Sequence, residues 1–202
     1  MLPSLASVAL NLPHCMPQES SSFPILIRAE AIQKRIAELS LQISHDYQQK
    51  PLTLIALLNG SIFFLTDLIR SLKIPDLHIE CWRISSYSST HSSGILHGLE
   101  HCKAEVHNRH VLIIDDIYDT GLTLSHVHRH VQQLSPLSIR TCVLLEKKLK
   151  HQVIVPVEYI GFQIQDVFVV GYGLDYNSRY RELPDIHILP QTISQPTPHQ
   201  HP

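Results

Sequence analysis

The stretch VLIIDDIYDTGLTL, Val111 to Leu124, restricts the fold more than any other part of this chain. It opens on the unbroken apolar run Val111-Leu112-Ile113-Ile114, rich in β-branched side chains. Such a run, bounded by polar residues, reads as a strand buried on both faces. Asp115 and Asp116 are expected to close that strand. Asp119-Thr120-Gly121-Leu122-Thr123 then leads into a helical pattern. Strand, short glycine-containing loop and helix is how α/β proteins build an anion pocket, because loop N–H groups and the helix N-terminus point at the ligand together. Thr120, Thr123 and Ser125 offer hydroxyl donors to a phosphate held there. The acidic pair lies one step away, where a ribose or a metal ion would sit. The competing reading is that Asp115 and Asp116 merely cap the helix and solvate a strand end. Two to three carboxylates beside such a loop are expensive as decoration. The pattern therefore points to a phosphorylated sugar together with Mg²⁺.

The flanking sequence supplies the rest of an α/β domain. Ile32, Ile36, Leu39 and Ile43 recur at helical spacing, which predicts an amphipathic helix from Arg28 to Tyr47. Leu52 to Leu58 reads as a buried strand, Asn59-Gly60-Ser61 as a loop, and Ile62 to Leu72 as a helix. Leu77 to Ser85 is a second strand. The polar run Ser85 to Ser93 (SSYSSTHSS) has the composition of a mobile loop, and a loop of that length in a compact domain is often a lid. Ile95 to Leu99 is expected to form a short hairpin partner. A helix from Leu122 to Leu134 follows the central strand, and strands are expected at Ile139 to Leu145, Val157 to Phe162 and Val167 to Val170. Strands alternating with helices imply a mostly parallel sheet covered on both faces, with the site along the edge formed by the strand C-termini. Residues 1–24 and 191–202 read as flexible segments, leaving 25–190 as a single domain.

The chain of 202 residues is long enough for one domain with a sizeable core. Its net charge of −2 argues against a nucleic-acid binder. No segment reaches membrane-spanning length, and Cys15, Cys81, Cys102 and Cys142 show no metal-type spacing, as reduced thiols of a cytoplasmic protein would. His126 and His130 would share one helix face at the spacing of a two-ligand metal site. Without a third ligand, a solvated helix face is the expectation.

Four further places, with the loop at Asp115 to Thr123, carry a family resemblance: LLNGS (Leu57 to Ser61), SSY (Ser85 to Tyr87), LLEKK (Leu144 to Lys148) and FVVGYGLDYNSRYRELP (Phe168 to Pro184). In order and spacing they resemble the hypoxanthine-guanine branch of the phosphoribosyltransferases that use phosphoribosyl pyrophosphate (PRPP). The resemblance implies a type I phosphoribosyltransferase fold, a mostly parallel twisted sheet flanked by helices with a small hood from the terminal segments. It implies transfer of the phosphoribosyl group of PRPP to a 6-oxopurine with Mg²⁺ as cofactor, in a homodimer or homotetramer with no nucleic-acid or membrane partner.

Residue by residue, the resemblance implies that Asp115 and Asp116 hold the ribose hydroxyls, directly or through Mg²⁺. Asp119, Thr120, Gly121, Leu122 and Thr123 would wrap the 5′-phosphate, and Asp119 would also exchange a proton with N7 of the base as the catalytic residue. Lys147, Phe168, Val169 and Asp175 would surround the base: Lys147 donating to its 6-oxo group, Phe168 stacking on it, the Val169 backbone reading its edge and Asp175 also ligating Mg²⁺. Leu58, Asn59, Gly60, Ser61 and Arg181 would bind pyrophosphate, with a cis peptide between Leu58 and Asn59. Ser86 and Tyr87 would ride on the lid. Taken alone, Lys147 also fits an exposed basic turn, Phe168 a core side chain, and Arg181 a surface pair with Glu182 or Asp185. Two departures stand out. Asn59 replaces a Lys or Arg common in the family, and Leu122 replaces a residue that is often polar or basic. A non-catalytic regulator on the same fold and a xanthine-preferring transferase are the competing readings.

Overall fold

Alternate residues of the central strands face different cores. Leu54, Ala56, Leu112, Ile114, Cys142 and Leu144 lie in one buried cluster, while Ile55, Leu57, Val111, Ile113 and Val143 lie in another. A strand whose two faces are both apolar must be covered twice. The computed structural model, which describes residues 23–84, 99, 102–148 and 151–190, provides that cover. Its elements are β1 (Ile25–Ile27), α1 (Ala29–Asp46), β2 (Leu52–Leu58), α2 (Ile62–Ser71), β3 (Leu77–Arg83), β4 (His110–Tyr118), α3 (Leu122–Gln133), β5 (Ser138–Lys147), β6 (Tyr159–Ile164), β7 (Val169–Val170) and β8 (Ile186–Ile188). Five of them form a wholly parallel sheet in the order β3-β2-β4-β5-β6. Helices α1 and α2 cover one face and α3 the other.

Helix α1 buries the stripe foreseen from its spacing, Ile32, Ile36, Leu39 and Ile43. Each such side chain contributes roughly 1.5–3 kcal/mol by leaving water. The N-terminal edge of the sheet, away from the loops after β2, β4 and β5, is pinned by polar contacts. Arg109, itself buried, donates to Thr53 Oγ1 at 2.9 Å, the Leu52 carbonyl at 2.9 Å and Asp76 Oδ1 at 2.8 Å. Nearby, the Tyr159 hydroxyl donates to Asp46 Oδ2 at 2.7 Å and accepts from Arg140, which ties the end of α1 to β5 and β6.

The second sheet is small and antiparallel, in the order β1-β8-β7. Ile25 pairs with His187 and Val170 pairs with the same residue from the other side. Phe23, Val170 and Leu189 form its buried cluster, with Tyr176 and Tyr180 packed against them. This is the hood expected from the terminal segments. Its strands β1 and β8 had no separate signal, because three residues are too few to display a period of two.

Other boundaries moved. β4 does not close at Asp115 and Asp116; it continues to Tyr118, because β5 extends alongside it and pairs Asp115 with Val143, Ile117 with Leu145 and Tyr118 with Glu146. The strand expected at Val157 to Phe162 lies at Tyr159–Ile164, and that at Val167 to Val170 keeps only its last two residues. The expected lid with Ser86 and Tyr87 lies outside the described residues, as does nearly all of the expected hairpin partner. Among the described residues no helix is long and apolar enough to cross a membrane.

The face expected to be solvated is split: His126 Nδ1 stays in an exposed hydrogen bond, 2.8 Å from the Leu122 carbonyl of its own helix, whereas His130 turns inward. His128 Nε2 lies 2.6 Å from Thr141 Oγ1, and His130 Nε2 lies 3.0 Å from the Cys102 carbonyl with its ring edge-on to Trp82. His128 and His130 thus tie α3 to the sheet and to the segment before β4.

Candidate active site

The loop after β2 reaches the end of β4 through the smallest residue available. A Cβ on Gly60 would lie 1.6 Å from Asp116 Oδ2, so glycine lets this backbone pass the carboxylate without displacing it. The carbonyl of Gly60 is met in turn by Gly173, at a φ of +98°. The peptide between Leu58 and Asn59 is cis, as the resemblance implied. Leu58 and Gly60 line the cavity above the sheet edge, whereas Asn59 and Ser61 do not. The Ser61 hydroxyl turns inward and donates to the Leu57 carbonyl at 2.6 Å.

That cavity, of about 450 Å³, is also lined by Asp115, Asp116, Asp119, Thr120, Gly121, Thr123, Asp175 and Arg181. Asp115 is buried, and burial together with the neighbouring Asp116 charge pushes its carboxyl well above the ordinary range. Burial also raises Asp116, against backbone N–H donors and the Arg181 charge. A buried carboxylate beside a half-buried one raises the cost of both negative charges and favours a cation or hydroxyl donors above them.

The loop after β4 is braced from behind. Gly121 opens α3 at a φ of +86°, and a Cβ there would lie 2.0 Å from the Val153 carbonyl oxygen. Gln152 and Val153 both donate their N–H groups to the Thr120 carbonyl. His151 stacks on Tyr118, ring centroids 3.9 Å apart, and its Nδ1 bonds the Asp119 carbonyl. This bracing residue had no signal in the sequence, since it depends on a fold-back after β5. The N-terminus of α3 thus faces the cavity with Thr120 and Thr123 beside it. Leu122 and Ser125 do not line the cavity; Leu122 is partly exposed, and the Ser125 hydroxyl donates to the Leu122 carbonyl at 2.8 Å.

A second cavity of about 230 Å³ shares Asp116, Ile117, Asp119 and Asp175 with the first, and adds Lys147, Val167, Phe168, Val169 and Leu174. Lys147 is no exposed turn: it ends β5, and its side chain is only 11% accessible. Its Nζ lies 3.1 Å from Asp119 Oδ2 and 3.0 Å from Asp166 Oδ1. Burial alone would lower its ammonium, but the hydrogen bonds and charges of Asp166 and Asp119 outweigh it and hold it above the ordinary lysine value. Phe168 is not core either. It is 45% exposed and stands edge-on to Tyr176, 5.8 Å away. Arg181 pairs with Asp175 at 2.7 Å and bonds the Gly173 carbonyl, rather than Glu182 or Asp185. Asp185 instead accepts from the Ala29 N–H at the start of α1.

Among the described residues no three His, Cys, Asp or Glu side chains gather to hold a metal by themselves. The donor set nonetheless fits Mg²⁺, which keeps several waters and takes one or two carboxylates plus substrate phosphates. Asp115, Asp116 and Asp175, which all line that cavity, are such donors.

Comparison with known proteins places this geometry. The phosphoribosyl transferase domain matches residues 26–177. A hypoxanthine-guanine phosphoribosyltransferase of Mycobacterium tuberculosis is 43% identical over 178 residues, covering 85% of this chain and 88% of that one. One from Dictyostelium discoideum is 42% identical over 164 residues, with 79% and 91% covered. The solved hypoxanthine phosphoribosyltransferase of Staphylococcus aureus superposes with a TM-score of 0.81 at 35% identity, covering 88% of this chain and 97% of that one. With more than half of its length matched and relatives this similar, the chain belongs to the phosphoribosyl transferase family.

Proposed function

We propose that this chain is a purine salvage enzyme that transfers the 5-phosphoribosyl group of PRPP to N9 of hypoxanthine or guanine, releasing pyrophosphate with IMP or GMP. One observation carries the reading: two cavities joined through Asp116, Ile117, Asp119 and Asp175, one ending on the helix α3 N-terminus and the other on Lys147 and an exposed aromatic ring. An anion cradle continuous with a cavity edged by a cation and an aromatic ring suits a sugar phosphate being joined to a planar base. The names of the relatives support the same choice of base.

In this reading Thr120, Gly121, Leu122 and Thr123 hold the 5′-phosphate through backbone N–H groups and hydroxyls. Asp115 and Asp116 receive the ribose hydroxyls, and Leu58, Asn59, Gly60, Ser61 and Arg181 receive pyrophosphate. Breaking the bond from ribose C1 to pyrophosphate develops cationic character on the sugar and negative charge on the leaving group. The carboxylates stabilise the first and Arg181 the second. A bound Mg²⁺, held by Asp175 and substrate oxygens with Asp115 and Asp116 near, would neutralise the leaving pyrophosphate. Asp119 takes the base proton at N7. Lys147 donates to the 6-oxo oxygen, Phe168 stacks on the purine and the Val169 backbone pairs with its edge. Asn59 leaves one fewer cation near pyrophosphate, which weakens PRPP binding. Residues 25–190 form the working unit, in a cytoplasmic homodimer or homotetramer.

The test is kcat/KM for hypoxanthine, guanine, xanthine and adenine at fixed PRPP and Mg²⁺. An ammonium has only donors, so it pairs with a 6-oxo acceptor and faces the 6-amino donor of adenine unpaired. Adenine is expected to be about 10⁴-fold poorer than hypoxanthine. Equal values would remove both the role of Lys147 and the assignment of the base.

A further inference from the structure

Three chain segments converge on one ammonium. Asp119 comes from the loop after β4, Lys147 ends β5, and Asp166 comes from the connection between β6 and β7. Lys147 is paired with Ile164 in the sheet, and the Lys148 N–H donates to the Ile164 carbonyl at 2.8 Å. The segment holding Asp166 therefore leaves the sheet directly beside Lys147. The Lys147 side chain is nearly enclosed, whereas Asp166 is 66% accessible and lies outside the residues lining the base-sized cavity. Asp119 reaches the same ammonium from the cavity side, at 3.1 Å.

Lysine has three N–H donors and accepts nothing. Asp166 takes one of them in a hydrogen bond at 3.0 Å and Asp119 lies 3.1 Å away as an ion-pair partner, which leaves donor capacity for the cavity bounded by Phe168 and Val169. We infer that Asp166 is a positioning residue for recognition of the 6-oxopurine: it anchors the Lys147 ammonium from outside, so that a remaining N–H points at the oxo group. This rests on the reading of the site as a 6-oxopurine phosphoribosyltransferase. Asp166 has a second effect through the same contact. By sharing the cation, it keeps Asp119 from being the sole counter-ion of Lys147, which leaves Asp119 oxygens available to the base proton. Without Asp166 the ammonium settles onto Asp119, away from the base and against the proton acceptor at once. A solvent-exposed ion pair with no such task contributes almost nothing, so the two accounts differ in what they predict.

The experiment compares the full chain with its Asp166→Ala, Asp166→Asn and Asp166→Glu variants, assayed with Mg²⁺, PRPP and either hypoxanthine or guanine. Losing a charge-assisted hydrogen bond to the anchor should raise KM for both bases about tenfold in Asp166→Ala. KM for PRPP should stay within about twofold of its starting value, since no phosphate contact is touched. Asp166→Asn, which keeps an acceptor and loses the charge, should fall between, and Asp166→Glu should recover most of the loss. The melting temperature should not move. The inference is overturned by unchanged base KM in Asp166→Ala. It is also overturned by equal rises of KM for base and PRPP, or by a lower melting temperature that Asp166→Glu does not restore. If the unaltered chain itself fails to use either base, the functional reading falls and the inference falls with it; a working chain with indifferent variants removes the inference alone.

Discussion

Gly60 presses its backbone against the carboxylate of Asp116, so closely that a Cβ would lie 1.6 Å from Oδ2 and 2.5 Å from Cγ. The obstacle is a short side chain, held by an N–H bond from Ile117 to Asp116 Oδ1 at 3.0 Å. Gly60→Ala is therefore expected to displace Asp116 without unfolding the chain, and to lower kcat/KM by about 10²-fold through misplacement of a site carboxylate. Gly173→Ala meets backbone instead, at a positive φ, and is expected to lower the melting temperature as well. Paired melting curves and steady-state rates separate the two. Wild-type turnover in Gly60→Ala would mean that Asp116 moves aside without consequence.

Asp115 sets stability against function. Burial and the Asp116 charge raise its folded-state pKa, so the folded chain keeps a proton that the unfolded chain has released. Stability contributed by this group is present below the ordinary carboxylate range and is lost as pH rises through the raised value. Asp115→Asn, isosteric with the protonated acid, is expected to melt a few degrees higher than the parent at pH 8. The difference should vanish near pH 4, while turnover falls. Calorimetry across that pH range decides it, and a lower melting temperature at pH 8 would refute the assigned burial cost.

Asp119→Asn tests proton transfer. The side chain is partly exposed and loop-borne, so the substitution leaves packing intact. A fall in kcat of about 10²–10⁴ with KM for PRPP nearly unchanged is expected of a general acid–base group. Normal kcat with a raised KM would make it a binding residue only.

Phe168→Ala tests the stacking platform. Because the ring is half-exposed and touches Tyr176 only edge-on, its loss should cost little stability. Stacking of a base on an aromatic ring is worth roughly 1–3 kcal/mol, so KM for hypoxanthine should rise by about tenfold or more while KM for PRPP does not. A sharp drop in melting temperature would return Phe168 to the core.

Much of this was legible from local pattern. The apolar stripe of α1 and the run from Leu52 to Leu58 announced their elements because burial and periodicity act within a few residues. The loop from Asp119 to Thr123 was equally plain, since an anion cradle requires its chemistry in sequence. What was not legible depends on partners distant in the chain. β4 runs past Asp116 only because β5 is long enough to pair with it. Lys147 and Phe168 each had a bland local reading, reversed by where β6 and β7 bring their neighbours. His130 looked solvated until the segment before β4 came against it. Asp166 sits two places before Phe168, yet nothing in that spacing says that it reaches across to β5.

The pairing of β1 with β8 also imposes an order of assembly. His187 bonds the Phe23 carbonyl across 164 positions, and β7, which carries Val169, pairs among the described residues with β8 alone. During synthesis the parallel sheet and its anion cradle have all their residues while this late strand is still unmade. The wall that meets the base is thus the last piece to be fastened, and the first segment of the domain waits longest for its partner. A nascent chain arrested before Ile186 would own a phosphate pocket with no finished seat for a purine.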